Sequence, residues 1–320
     1  MSNGTVDGAP PEAASASKGA RRPGARRRRP GELLGYVFIA PAVLYLAVFL
    51  LVPLVQGIAM SFTDTRLINP AGGEPVGFDN YAQALGADRF WNSLLATLLY
   101  TAATVAGTLA LGTAAAVLVN RAFRGRALVR GLLTFPYAMP TVAVALVFAW
   151  MYNQSNGVFN RGLGVLGVGE TGWLTDPNWG MASVVAATVW KVFPFVMLVV
   201  LAALQSVSAE LYEAARIDGA DALSTFRSVV VPHLAPTLRI VALLMTIWSI
   251  RRFEIIFLLT GGGPVEKTNT LVINVYRTAF SDQDLGLAAA IGALGLIVSL
   301  AVTCVFLLVE RRESQREEAS

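Results

Sequence analysis

The sequence predicts an all-α integral membrane protein built on six transmembrane helices. Composition, the length of the apolar runs and the distribution of cations carry that reading. Of 320 residues, 55% are hydrophobic and 14% charged, whereas a soluble domain carries about 25% charge. Six apolar runs reach the ~20 residues that a helix needs to cross a bilayer. They span roughly 34–60, 94–118, 131–152, 181–204, 238–259 and 285–308.

Residues 1–33 read as a disordered basic arm, with Lys18 and six arginines between positions 18 and 29. Arms of this kind bind nucleic acid in soluble proteins. Ahead of an apolar run the arm instead holds the N-terminus in the cytoplasm, and no nucleic-acid partner is expected. The first run is too long for the core of a signal peptide, so it reads as an uncleaved anchor. The membrane domain spans 34–309, and 310–320 form a charged tail. Pro41, Pro53, Pro136, Pro140 and Pro194 fall inside or at the ends of runs. Spanning helices tolerate such prolines because neighbours re-satisfy the freed carbonyls. Cys304 is the single cysteine; it forms no internal disulfide and reads as a small packed hydrophobe.

Orientation follows from the cations. With the N-terminus inside, the cytoplasmic pieces hold the arm, Arg121, Arg124, Arg126, Arg130, Arg216, Arg227, Arg239, Arg311, Arg312 and Arg316, seventeen cations in all. The opposite side holds only Arg66, Arg89, Arg161, Lys267 and Arg277. Positive residues concentrate on the cytoplasmic side of membrane proteins. A multi-pass protein of the cell membrane is expected, with both termini cytoplasmic.

Three cations remain inside the runs: Lys191, Arg251 and Arg252. Each costs about 2.5–3.5 kcal/mol at mid-bilayer, so they should face the bundle interior or water. Counted from the outer ends of their runs, Lys191 lies roughly 15 Å deep and Arg251 roughly 12 Å. Glu254 follows Arg251 at i+3, where it can pair with it. These charges either neutralise one another or line a path for a polar solute; both readings stand at this point. Phe253 belongs to the same candidate path, as does Trp190, because aromatic faces suit sugar rings. His233 is the only histidine, so no multi-histidine metal site is available. No nucleophile–base pair and no phosphate-binding G-x-x-x-x-G-K-[ST] motif appears. No catalytic residue, cofactor or metal is expected.

Between the fourth and fifth runs, "EAARIDGADALSTFRSVVVP" (213–232) is polar and broken by glycine. Over 206–236 the pattern reads as two short helices. Ser208 caps the first, with Glu210 and Glu213 in its first turns, and Gly219 ends it in the left-handed conformation. Asp221 caps the second, and Pro232 marks its close. Such a pair is too short to span a bilayer, so it lies at the cytoplasmic face against the bundle or a partner.

The order Glu213-Ala214-Ala215, Gly219, Val229, Val231-Pro232, with Ile217-Asp218-Gly219-Ala220 between, resembles the EAA loop of permease subunits of binding-protein-dependent ABC importers. Two valines stand where the family usually has Ile and Leu. "SFTD" (61–64), "GFDNY" (77–81), "WKVFPF" (190–195), "FEIIFLLTGGGP" (253–264) and "VYRTAF" (275–280) resemble the carbohydrate-uptake branch, on its maltose-type first permease subunit. The resemblance covers roughly 34–309. It implies the type I ABC importer permease fold with a cytoplasmic coupling helix pair. It implies a second permease subunit, two cytoplasmic ATPase subunits and an extracytoplasmic solute-binding protein as partners. On that resemblance Glu213 contacts the ATPase, Ala214 and Ala215 allow close approach, and Gly219 makes the turn within the matched Asp218–Pro232 segment. The substrate it implies is a sugar or oligosaccharide. Arg251 and Arg252 depart from the neutral residues common there, which leaves an anionic or polyol-phosphate solute as a second reading. A self-contained secondary carrier, which has no use for a docking loop, is the reading of another class.

Overall fold

The computed structural model describes residues 30–167 and 169–318. Most of the basic arm, residues 1–29, and the last two residues of the tail lie outside that description. The described chain is helical, and its only β pairings are isolated bridges such as Thr63–Pro75.

Among the described residues, those from Pro30 to Pro53 form one unit. It contains α1 (Pro30–Leu46), a π-helical segment (Ala47–Leu51) and the start of α2 (Val52–Met60). The second unit begins at Leu54. Its helices are α3 (Asp79–Gly86), α4 (Asp88–Asn120), α5 (Arg126–Ala138), α6 (Thr141–Met151), α7 (Val158–Val165) and α8 (Gly180–Gln205). Then come α9 (Ala209–Ile217), α10 (Ala222–Thr225), α11 (Val231–Ile250), α12 (Glu254–Thr260), α13 (Leu271–Tyr276) and α14 (Leu285–Glu318). Further π segments precede α11 (Phe226–Val230) and α14 (Arg277–Ser281).

Among the described residues, five stretches are long and apolar enough to cross a bilayer: Val37–Met60, Asp88–Asn120, Gly180–Gln205, Phe226–Ile250 and Leu285–Leu308. The third expected run behaves differently. It is broken into α5 and α6, which meet at 98°. At 1.5 Å per residue these pieces are roughly 20 and 17 Å long and reach roughly 24 Å end to end, short of the ~30 Å hydrocarbon core. The fifth run is also displaced. Its helix starts at Phe226 and stops at Ile250, and α12 resumes after a break at Arg251–Phe253. Irregular backbone at membrane depth persists only where protein or a water-filled space covers it. Both breaks therefore mark the interior of the bundle.

The bundle is organised on α4 and α8. Lipid is as apolar as leucine, so helices associate there through close packing rather than through the hydrophobic effect. A methyl added at Gly107 would meet Val189 at 2.7 Å, and one at Gly112 would meet Val196 at 2.6 Å and the Phe193 carbonyl at 3.0 Å. The rising pairs 107–189 and 112–196 show that α4 and α8 run parallel. Towards the Asn120 end, Ala116, Val196, Met197, Val200 and Leu234 form a buried apolar layer with α11. Towards the Asp88 end, Tyr100, Val144, Val184, Ile255 and Ile256 join α4, α6, α8 and α12.

Candidate functional site

Along α4, through the layer at the Asp88 end and towards the one at the Asn120 end, runs a polar seam. Ser93, Thr97, Tyr100, Thr101, Thr104 and Thr108 are buried along one side of α4. Their 3–4-residue spacing keeps them in register on a helix. Thr97 Oγ1 accepts the Leu271 N–H at 2.8 Å, and Tyr100 Oη lies 3.0 Å from Thr188 Oγ1 on α8. Deeper in, the hydroxyls of Thr101 and Thr104, the hydroxyl of Ser183 and Nε of Arg252 are buried without a hydrogen-bond partner. Buried polar atoms are nearly always satisfied, so this set marks a space built for water or a polar solute. The sequence reading missed the seam, although the periodic hydroxyls of the second run carried the signal.

Lys191 is 7% exposed and donates from Nζ to the carbonyls of Met139 at 2.6 Å, Tyr137 at 3.2 Å and Pro136 at 3.5 Å. Its ammonium also lies 5.8 Å from the Tyr137 ring centre. The cause is in the sequence. Pro140 has no N–H to offer Pro136, so α5 ends with unpaired carbonyls carrying the negative end of its dipole. A lysine on the neighbouring helix satisfies them. Lys191 thus holds the α5–α6 elbow rather than pairing with another side chain.

Of the two readings left open for these charges, the Arg251–Glu254 pair does not form. The two residues do not share a helix turn: Arg251 caps the end of α11, and Glu254 opens α12. Among the described residues neither arginine forms an ion pair. Arg251 and Glu254 are exposed and Arg252 half-buried. The charge of Arg252 acts on Tyr100 and Lys191, and that of Glu254 on Lys191. Lys191, Arg252 and Glu254 therefore lie near one another beside Tyr100 of the seam, whereas Arg251 is exposed at the end of α11. Phe253 stacks on Phe257 at 4.9 Å and packs against Tyr276 at 5.0 Å. Trp190 meets Phe148 edge-on at 5.4 Å and reads as packing at the seam's edge.

At the Asn120 end, α9 closes as expected. Gly219 has φ +75, and the N–H of Ala220 reaches back to the Ala215 carbonyl at 2.9 Å, the pattern of a left-handed C-cap. Asp221 Oδ1 accepts the Ser224 N–H at 2.7 Å, an N-cap for α10. Ala215 is buried, whereas Glu213, Ala214 and Asp218 are exposed and Ile217 is 86% exposed. Pro232 does not close the second helix. It sits in the first turn of α11, and the chain stays helical from Ala222 to Ile250. The π segment makes this possible. The N–H of Val231 bonds the Phe226 carbonyl, five residues back, so the ladder shifts register just ahead of the residue that cannot donate. The segment Ala47–Leu51 stands in the same relation to Pro53. His233 is exposed, with Nε2 3.1 Å from Ser206 Oγ.

Two of the short blocks read from the sequence, "SFTD" and "GFDNY", come together at the opposite end. Asn80 Nδ2 donates to the carbonyls of Ser61 at 2.9 Å and Thr63 at 2.8 Å, and Tyr81 Oη lies 2.6 Å from Ser61 Oγ. Arg66 pairs with Asp284 at 2.9 Å, Arg89 with Asp282 at 2.8 Å, and Glu266 bridges Arg89 and Arg277 at 3.4 and 3.5 Å. Gly261 and Gly262, with φ +58 and +98, make the tight turn expected there.

Two parallel helices flanked by two broken ones, a polar seam along them and a short capped helix pair at one end fit a membrane transport subunit. Residues 108–315 match the family described as "Binding-protein-dependent transport system inner membrane component", and the chain belongs to that family. The chain is 36% identical over 279 residues to the trehalose/maltose transport system permease protein of Thermococcus litoralis, covering 87% of this chain and 94% of the relative. It is 33% identical over 279 residues to the sulfoquinovosyl glycerol transport system permease protein of Agrobacterium fabrum, covering 87% and 91%. The diacetylchitobiose uptake system permease protein of Streptomyces coelicolor is 31% identical over 296 residues, covering 90% of each. The solved structure of a bacterial ABC transporter for import of the acidic polysaccharide alginate shares the fold, with a TM-score of 0.78, 23% identity, and 88% of this chain and 96% of that one covered. The chain is an integral membrane permease subunit and not an enzyme.

Proposed function

We propose that this chain forms half of the translocation pathway of an ATP-driven importer for a sugar or oligosaccharide in the cytoplasmic membrane. The observation that carries the proposal is the polar seam with unsatisfied hydroxyls at Thr101, Thr104 and Ser183, set where two spans break. Hydroxyl-rich solutes exchange hydrogen bonds with such a lining as they pass. The sugar class rests on relatives named for trehalose/maltose, diacetylchitobiose and sulfoquinovosyl glycerol transport. Lys191, Arg251, Arg252, Phe253, Glu254 and Trp190 surround or edge the pathway. A second permease subunit completes it, and an extracytoplasmic binding protein delivers the solute to the Asp88 end. The Asn120 end faces the cytoplasm, where α9 and α10 dock into an ATPase subunit, one of two. The exposed Glu213, Ala214, Asp218 and Ile217 supply that surface. Closure of the ATPases then moves α9 and α10, and with them the spans. The unpaired Arg251 and Arg252 favour an anionic sugar as the second reading; the ligand of the cognate binding protein decides between them.

Co-purification from membranes tests the docking. Glu213→Lys should abolish recovery of the ATPase with the permease while the permease stays inserted. Full ATPase recovery with that variant, or solute uptake driven by an ion gradient without an ATPase, would sink the proposal.

A further inference from the structure

The first turns of α5 form a groove that the transport reading does not use. It has a volume of about 550 Å³ and is lined by Arg126, Ala127, Arg130, Gly131, Thr134 and Leu198. Around α5 the residues fall into sectors. Val129 and Leu133 pack inward against the core shared with α8. Leu128, Leu132 and Phe135 are exposed on the outer side. Arg126, Arg130 and Thr134 form a polar ridge between them, at i, i+4 and i+8 on one face. Neither arginine has an ion pair among the described residues, and no acidic side chain lines the groove.

Depth selects the occupant. α5 starts at Arg126, directly after the polar turn at Gly125, so the arginines lie where a span meets the headgroup layer. The exposed Leu128, Leu132 and Phe135 continue from that level into the hydrocarbon. Two cations above an apolar strip, with small residues opening the space between, match a phosphate headgroup and its acyl chains. We propose that this groove binds an anionic phospholipid, with Arg126 and Arg130 on the phosphate and the acyl chains along the outer side of α5. Bound there, the lipid would brace the first arm of the α5–α6 elbow. This holds whichever solute the permease carries.

The test uses the full chain, purified with its partner subunits and placed in nanodiscs. Spin-labelled phosphatidylglycerol and spin-labelled phosphatidylcholine are compared for association with the protein. The wild type should prefer the anionic lipid. Arg126→Gln with Arg130→Gln should reduce that preference roughly 30-fold, which is about 2 kcal/mol at 1.4 kcal/mol per decade. Arg121→Gln with Arg124→Gln, outside the groove, should leave it largely intact. Gly131→Leu is the second variant: a methyl added at Gly131 has nothing within 4 Å, so the side chain fills the groove without a clash while both arginines remain. It too should abolish the preference. An unchanged lipid preference in both groove variants overturns the proposal. So does an unchanged preference accompanied by loss of a partner subunit, which would assign the groove to an acidic protein segment.

Discussion

Lys191 shows how one side chain decides the course of a span. Each carbonyl left unpaired at the end of α5 would cost about 1–3 kcal/mol in a buried setting; those of Tyr137 and Met139 face its ammonium, as does that of Pro136, which also accepts the Met139 N–H. Lys191→Met removes every donor while keeping the bulk. Its melting temperature in detergent should drop by several degrees, since 1 kcal/mol corresponds to about 2–4 °C at this chain size. Lys191→Arg should retain part of the loss. A methionine variant that melts with the wild type would show that water caps the elbow instead. From the sequence this lysine looked like one of three charges seeking a counter-ion. Its partners proved to be backbone carbonyls 52 to 55 residues away, and side-chain spacing carries no trace of those.

Among elements, the α4–α8 contact has the least room for change. Gly112→Leu would force the branched side chain into Val196 and the Phe193 carbonyl. Overpacking of this kind costs typically 1–3 kcal/mol, so thermal stability should fall and recovery with partner subunits should drop. Gly162→Leu on α7, where a methyl would have nothing within 4 Å, serves as a control on an open helix face. Equal stability of the two variants would contradict the close α4–α8 approach. Five of the spans were legible because an apolar run of bilayer length is a signal in composition alone. The breaks were not legible. Pro136, Pro194 and Pro236 lie inside helices that continue, whereas the chain turns sharply at Pro140. All four lack the same N–H; what differs is the neighbour each meets in the fold. Helices α9 and α10 were legible from Gly219 and Asp221, whose local chemistry needs no tertiary partner. Pro232 misled because a register shift upstream of it leaves no mark in residue type.

For the whole molecule, the two ends carry opposite electrostatic designs. At the Asp88 end Arg66, Arg89 and Arg277 are each matched by Asp284, Asp282 or Glu266. At the Asn120 end Arg121, Arg124, Arg126 and Arg130 have no acid opposite them among the described residues. Insertion responds to uncompensated cations near span ends, and on that ground we propose that the Asn120 end faces the cytoplasm. In a Cys304→Ser background, Gln83→Cys should react with a membrane-impermeant maleimide on intact cells. Arg124→Cys should react only after lysis. The reverse pattern would invert the topology and remove the docking proposal with it. The family-typical blocks scattered between positions 61 and 280 make sense at this scale, because several of them interlock as one cap at the Asp88 end.

The π segment ahead of α11 has a consequence for rotational phase. Phe226 and Leu238 are twelve residues apart, and on an unbroken α-helix they would point roughly 120° away from each other. Yet both line the same apolar groove of about 800 Å³ with Leu109, Ala110 and Val117. One residue taken up by the wider turn removes about one residue's worth of rotation and brings the two side chains within roughly 30°. Every residue from Val231 onward is thereby aimed one step away from where an even count along the sequence would place it, and Ser249 and Thr246 turn inward as a result.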